Sequence, residues 1–208
     1  MSISLLCQRM RTILLSLFLL ASCSQEGHKV ANSSRQEICG REGSPTYRAD
    51  VPAQWVRKEI PDNKSDTTKA LCEFWIGDSI RITLHNFPSE TIEARVPPAA
   101  QIARWQRQFQ ELDPQGLNIT PFATGGFAGY HLEATGMVNG EPETLLGWAM
   151  QLAPEHFRVL VIADESSDRR SDYTIKAVGP ADLMRTHKQE IVRFAKSFEL
   201  IDEIQNTP

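Results

Sequence analysis

Four cysteines, at positions 7, 23, 39 and 72, are the side chains whose type and setting indicate a definite chemistry. Cys23 follows residues 13–21, a nine-residue apolar run that two arginines precede. A positive segment, a short apolar segment and the small residues Ala21 and Ser22 are together typical of a secretory signal peptide. A membrane-spanning helix needs about 20 apolar residues, so this run predicts a cleaved signal rather than a membrane span.

The residues Leu20-Ala21-Ser22-Cys23 resemble the lipobox of bacterial lipoproteins: an aliphatic residue, two small residues and a cysteine. The resemblance implies that the signal peptide is cut between Ser22 and Cys23, and that diacylglycerol is attached to the Cys23 thiol. Acyl chains then hold the protein at the bilayer. In this family Asp after the cysteine often signals inner-membrane retention, so Ser24 implies the outer membrane in a host with two membranes. An ordinary cleaved signal peptide with an incidental cysteine is the alternative.

The remaining cysteines form an even pair. Cys7 falls in the predicted signal peptide and Cys23 is assigned to lipid, which leaves Cys39 and Cys72 in a compartment where disulfides persist. We therefore predict a Cys39–Cys72 disulfide, with two independent buried thiols as the alternative. Neither cysteine has the C-x-x-C spacing or the nearby His pair of a zinc site.

Patterns for catalysis and metal binding are sparse in the rest of the chain. No histidine pair has the spacing of a zinc hydrolase, and the G-x-S-x-G pattern of serine hydrolases is absent. The glycine-rich residues 124–129 precede a strand instead of following one, which favours a bend over a phosphate-binding loop. The acidic residues 164–168 lack the spaced ligands of a calcium loop, so a solvated turn is predicted. No catalytic residue, cofactor or metal is predicted.

The charge balance argues against nucleic-acid binding. The chain of 208 residues has 22 basic and 26 acidic side chains, a net charge of −4. Removing residues 1–22, which hold two arginines and no acid, leaves 20 basic against 26 acidic residues, or −6. Phosphate neutralisation needs clustered Lys and Arg, and no such cluster is visible in the sequence.

The order of predicted elements is strands, helix, strands, helix. Residues 79–87 alternate apolar and polar side chains, which predicts a half-buried strand, and tight turns predict antiparallel neighbours. Residues 144–152 are largely apolar on both faces and residues 157–163 are nearly all apolar, so both are interpreted as central strands. Further strands are predicted at 47–51, 54–60, 71–76, 127–135 and 173–178, with helices from Pro97-Pro98 to before Asp113 and from about Gly179-Pro180. This order predicts an α+β fold, an antiparallel sheet with helices packed on it.

Three stretches resemble landmarks of the PsbP-like family, which includes photosystem extrinsic subunits, Mog-type proteins and many bacterial lipoproteins. They are Asp50-Val51-Pro52-Ala53-Gln54-Trp55, Gly129-Tyr130-His131-Leu132-Glu133-Ala134 and Phe194-Ala195-Lys196-Ser197-Phe198. The resemblance implies an α/β/α sandwich across residues 45–200. It also implies a binding or assembly protein without a catalytic centre.

These observations predict four segments: a signal peptide (1–22), a lipidated flexible tether (23–44), one globular domain (45–200) and a tail (201–208). The predicted function is that of a membrane-anchored periplasmic or surface lipoprotein acting as a non-enzymatic binding or assembly module. Its expected partners are the lipid bilayer, through acylated Cys23, and an envelope protein. The alternative is an envelope hydrolase, which a deep pocket lined by His85 or His131 with a carboxylate such as Glu133 would favour.

Overall fold

The computed structural model describes residues 32–61, 66 and 68–201. In this part of the chain most strands and helices follow the order predicted from the sequence, but residues 157–163 are helical instead of a strand and four further strands are present. In chain order they are β1 (Ser33–Cys39), β2 (Pro45–Pro52), β3 (Val56–Glu59), β4 (Cys72–Ile76), β5 (Ile80–Phe87), α1 (Pro98–Gln106), β6 (Glu111–Leu112), β7 (Asn118–Thr124), β8 (Phe127–Val138), β9 (Glu141–Leu152), α2 (Pro154–Ile162), β10 (Asp172–Pro180), α3 (Ala181–Ser197) and β11 (Glu199–Leu200).

The strands form a large sheet and a small sheet. The large sheet has the order β3-β4-β5-β10-β9-β8-β6, with β7 also paired to β8, and the small sheet has the order β1-β2-β11. All the described pairings are antiparallel. With three helices packed on this sheet system, the predicted α+β class is confirmed.

Consecutive side chains of β9 enter two different hydrophobic cores. Trp148 belongs to the larger core together with Phe194 of α3. The next residue, Ala149, belongs to the smaller core together with Trp105 of α1. Because successive side chains of a strand point to opposite faces of a sheet, α1 and α3 cover opposite faces of the large sheet. The helices therefore stand on both sides of it.

The prediction of a central strand at residues 157–163 is wrong, because these residues belong to α2. Pro154 occupies the first turn of this helix, where its missing N–H costs nothing. Phe157 and Leu160, three residues apart, are buried, whereas Ile162 is 86% exposed. The periodicity of a short apolar run does not distinguish a strand from a buried helix. The proline at its start was the feature of the sequence that favours a helix here.

The predicted tether is wrong for residues 33–44, because the folded part of the chain already includes β1. This strand pairs with β2 from Ser33 to Cys39, and Ile38 is completely buried. Its other side chains are exposed or half-buried, so the strand had no visible alternation of apolar residues. Residues 1–31, which include the predicted signal peptide and Cys23, lie outside the described residues, as do residues 202–208 of the predicted tail.

The glycine-rich residues 124–129 form the turn of a hairpin between β7 and β8. Gly125 and Gly126 have φ angles of 54° and 81°, in the region that glycine adopts without a steric penalty. Thr124 and Phe127 pair directly on either side of them. Two residues with positive φ are typical of a tight hairpin turn, so the predicted bend is confirmed. The strand β7 itself was not predicted.

In the described part of the chain, none of the helices combines the length and the apolar character needed to cross a membrane.

Candidate ligand-binding cleft

A cleft of about 480 Å³ opens between α1, the segment that joins β5 to α1, and the adjoining ends of β9 and β10. This volume lies within the range of about 300–1,000 Å³ that is usual for small-molecule sites. Its walls are mostly apolar, and four longer polar side chains reach it from α1, the segment that follows α1, and β9. The apolar walls include Phe87, Pro88, Ala94, Val96 and Pro98, and the polar side chains are Gln101, Arg104, Arg107 and Gln151.

The position of α1 defines one wall of the cleft. The helix begins at Pro98, as the proline pair predicts, and its buried residues Ile102 and Trp105 pack on the sheet. Gly147 of β9 permits this close approach, because a Cβ atom there would lie 2.4 Å from the Trp105 ring. The helix ends at Gln106, earlier than predicted, since β6 then leaves the helical path to pair with β8.

A buried ion pair forms the floor of the cleft. Arg95 and Asp172 both line it, and their side chains are only 3% and 8% exposed. Arg95 Nε donates to the two Asp172 carboxylate oxygens at 3.0 and 3.1 Å, and Nη2 makes a further contact with Oδ1. Arg95 Nη2 also donates to the Leu152 carbonyl at 2.6 Å, and the Leu152 N–H donates to Asp172 at 3.0 Å. The pair thus fixes the segment before α1 to β9 and β10.

The rim of the cleft carries two exposed arginines, Arg104 and Arg107. With the Gln101 amide oriented to satisfy both neighbours, its oxygen accepts from Arg104 Nη2 at 2.9 Å and from Trp105 Nε1 at 3.0 Å. Across the opening, Gln151 Nε2 donates to the Val96 carbonyl at 3.1 Å. These hydrogen bonds fix the side-chain amides of Gln101 and Gln151, and the charges of the two arginines lie at the mouth of the cleft.

The sheet face beside the cleft is cationic. His85 and Lys176 lie on the neighbouring strands β5 and β10, and Lys176 Nζ donates to Gln108 Oε1 at 3.4 Å. Burial, Arg41, Lys176 and Arg104 together lower the pKa of His85 to about 4. Burial lowers the pKa of Lys176 as well, with further contributions from the charges of Arg81 and Arg104. Positive charges on this face therefore raise one another's free energy.

The predicted disulfide partners are both free thiols in the structure. Cys39 ends β1 and is exposed, whereas Cys72 begins β4 and is completely buried. Burial raises the pKa of the Cys72 thiol to about 12, and the charge of Cys39 adds a minor contribution in the same direction. Cys23 lies outside the described residues, so its lipidation stays a prediction.

The histidines considered for a hydrolase line neither of the two cavities described here. His131 stacks on Trp148, with 4.6 Å between ring centroids, and burial lowers its pKa. Glu133 lines a second cavity of about 310 Å³, where Lys188 Nζ donates to its oxygens at 2.6 and 2.7 Å. His85, His131 and Glu133 therefore do not converge on one pocket.

The solvated turn predicted at residues 164–168 is observed only in part: Asp164 is exposed and residues 165–167 are half-buried, but the last residue is buried. Asp168 is 1% exposed, and its carboxylate accepts from the Glu42 N–H and from Asn86 Nδ2, each at 2.7 Å. This loop ties the β1–β2 turn to β5. Among the described residues, no group of three or more His, Cys, Asp or Glu side chains has a metal-binding arrangement.

The cleft residues themselves were not singled out from the sequence. Arg95 and Asp172 are 77 positions apart and pair only because β10 lies beside β9 and β5. A weaker signal did exist for the rim. Gln101, Arg104 and Arg107 recur every three residues across α1 and its end, which places them along one side of a helix.

Comparison with known proteins shows the fold. No family model matches the sequence, and no curated protein gives a significant match. The solution structure of cyanobacterial PsbP (CyanoP) from Synechocystis is similar over 87% of this chain and 98% of that chain, with a TM-score of 0.52 and 16% identity. The crystal structure of LpqN, a protein involved in cell envelope biogenesis of Mycobacterium tuberculosis, is similar over 81% and 90%, with a TM-score of 0.50 and 11% identity. The chain therefore has a PsbP-like fold, as the sequence landmarks predicted.

Proposed function

We propose that this protein is an envelope lipoprotein that binds a ligand or an envelope partner in the cleft beside α1, without catalysing a reaction. Cys23 carries the lipid that holds the domain at the membrane, which is the outer membrane if the host has two. The chain shares its fold with LpqN, which is involved in cell envelope biogenesis, and this likeness is compatible with such a role.

The observation that carries the proposal is the construction of the cleft. Its apolar walls offer favourable burial to a ligand, since burying apolar surface contributes roughly 25 cal/mol per Å². Its polar side chains stand at the rim, where they can orient what enters. The buried Arg95–Asp172 pair holds the floor in place before any ligand arrives. A preformed apolar cavity with few polar groups is the usual form of a binding site.

Photo-crosslinking in intact cells tests this proposal. A photoreactive amino acid replaces Gln101, which lines the cleft, and a matched variant carries it at Glu155, which is exposed on α2. After irradiation, the mass of the purified protein reports any adduct, whether a small molecule or a protein. We expect an adduct from the Gln101 position alone. Equal adducts from both positions, or none from the cleft, would refute a binding site here.

The anchor has its own test. Cells fed an alkyne analogue of palmitate are expected to label the wild-type chain and not the Cys23→Ala variant, because only the cysteine thiol accepts diacylglycerol. Equal labelling of the two chains would refute lipidation at Cys23. This result does not depend on the cleft.

A further inference from the structure

The two rim arginines carry charge that the protein does not neutralise. Within the described residues, neither Arg104 nor Arg107 forms an ion pair. The one carboxylate that lines the cleft belongs to Asp172, and Arg95 already occupies both of its oxygens. The mouth of the cleft is therefore positive in a chain whose net charge is −4.

The end of α1 offsets only part of this charge. Arg104 lies in its last turn and Arg107 is its C-cap residue, where the helix dipole places roughly half a negative charge. Two guanidinium groups exceed that partial charge by about 1.5 elementary charges. Lys176 on the adjoining face adds to the surplus, and burial followed by the charges of Arg81 and Arg104 lowers its pKa. Arg81 itself lies 4.0 Å from a Glu73 oxygen and adds less. Arg104 Nη2 already donates to Gln101, but an anion that reaches the rim meets two guanidinium charges that no described carboxylate pairs with.

The interior of the cleft is apolar, in contrast to its positively charged rim. Phe87, Val96 and Ala94 line it, and Val96 is 59% exposed, which leaves apolar surface in contact with water. At about 30 Å³ for each water-sized group, a cavity of 480 Å³ holds roughly 16 such groups. This is the size of one medium-length alkyl chain with its head group.

We propose that the cleft binds a single-chain anionic amphiphile, with its alkyl chain along the apolar walls and its carboxylate or phosphate held by Arg104 and Arg107. The assignment rests on the proposed function, since it names the class of ligand that the same cleft takes. Guanidinium groups suit this role because they form paired hydrogen bonds with carboxylate and phosphate oxygens. The alkyl chain supplies the affinity that an exposed charge contact lacks.

Isothermal titration calorimetry on the full processed chain in phosphatidylcholine nanodiscs tests the proposal, with empty nanodiscs as the blank. The probes are octanoate, octyl phosphate, octanamide and inorganic phosphate. Octanoate and octanamide have nearly the same shape and differ in charge, whereas inorganic phosphate supplies the charge without the chain. We expect octanoate or octyl phosphate to bind at least tenfold more tightly than octanamide and inorganic phosphate.

Matched variants connect the preference with the two arginines. The double variant Arg104→Gln/Arg107→Gln is expected to lose at least tenfold in affinity for the anionic amphiphile while retaining its affinity for octanamide. Arg158→Gln changes an exposed arginine on α2, outside the cleft, and is expected to bind like the wild type. Retained octanamide binding shows that the double variant is folded.

Each contrary result has a distinct meaning. Equal affinities for octanoate and octanamide on the unchanged protein would overturn the anionic assignment. Inorganic phosphate binding as tightly as octyl phosphate would overturn the amphiphile. If no probe binds, the inference is refuted, and the in-cell crosslink from Gln101 still decides whether the cleft binds anything else.

Discussion

At the scale of single residues, the Arg95–Asp172 pair shows how strongly the cleft floor depends on two side chains. Both are almost inaccessible to water, so each charge is stable only because the other is present. We expect Asp172→Asn to lower the free energy of unfolding by about 3–5 kcal/mol, because it leaves the Arg95 charge buried without a carboxylate. Urea unfolding of the purified protein measures this loss.

A second variant separates the charge from the packing at the same position. Replacing both residues by apolar ones, in Arg95→Met/Asp172→Leu, removes the buried charges together. It is expected to cost less than Asp172→Asn alone, since a buried pair often contributes little over well-packed apolar groups. A loss below about 1 kcal/mol for Asp172→Asn would contradict the buried pair seen here.

The two free cysteines are expected to differ greatly in reactivity. The thiolate is the reactive form, and burial both raises the pKa of Cys72 to about 12 and shields its sulfur. In the native protein at pH 8, a maleimide reagent should therefore modify Cys39 rapidly and Cys72 only after unfolding. Mass spectrometry after limited labelling reads this difference. If neither thiol reacts until a reductant is added, the disulfide predicted from the sequence is present instead.

At the scale of elements, β1 makes the clearest difference between the sequence and the structure. Ile38, on this strand of the small sheet, is fully buried and belongs to the larger core. We expect Ile38→Ala to cost about 2–5 kcal/mol in the free energy of unfolding, as for other large-to-small core changes. Glu37→Ala, at the exposed neighbouring position, should stay within about 0.5 kcal/mol of the wild type. Equal, small effects would mean that residues 33–39 are not part of the fold.

The clarity of the local apolar pattern determined which elements of this fold could be predicted from the sequence. Strands with clear alternation, such as β5, were predicted close to their observed bounds, and the starts of the helices that follow proline, α1 and α3, were predicted within a residue or two. Apart from the two-residue strands β6 and β11, the elements that were missed or misassigned are β1, β7 and α2. They either lack alternation or are largely apolar over a length that suits both strand and helix. The prediction relied on the local pattern of apolar and polar residues, and this pattern is weak in these three elements.

The cleft was harder to predict because it exists only after the strands have paired. Its floor joins Arg95 to Asp172, and its rim comes from α1 and the residue that caps it. Nothing in the sequence near Asp172 indicates that an arginine far away along the chain will neutralise it. The spacing of Gln101, Arg104 and Arg107 was visible, but a polar helix side facing solvent has the same spacing.

At the scale of the whole molecule, the cationic face is expected to make the fold acid-sensitive. The pKa of His85 falls from its ordinary value of 6.5 to about 4 in the folded chain. Between these pH values the unfolded chain binds more protons at this residue than the folded chain does. The contribution of His85 to the free energy of unfolding is therefore complete above pH 6.5 and is lost as the pH falls towards 4.

Chemical denaturation at pH 7 and at pH 4.5 checks this expectation. The His85→Gln variant should lose less stability between the two pH values than the wild type, because it has no imidazole to protonate. Lys176→Met should raise the pKa of His85 in an NMR titration, since it removes one of the charges that lower it. Identical losses for the wild type and His85→Gln would show that acid sensitivity arises elsewhere.

The early start of β1 has a consequence for where the domain works. If Cys23 is the anchor, the first residue of β1, Ser33, lies ten positions after it, whereas position 45 lies 22 positions after it. At no more than about 3.6 Å per residue, the span is at most roughly 36 Å, comparable with the width of the domain itself. The domain can then move only within a thin layer of water next to the bilayer. A cleft confined to that layer meets molecules leaving or entering the membrane far more often than molecules dissolved in the wider compartment.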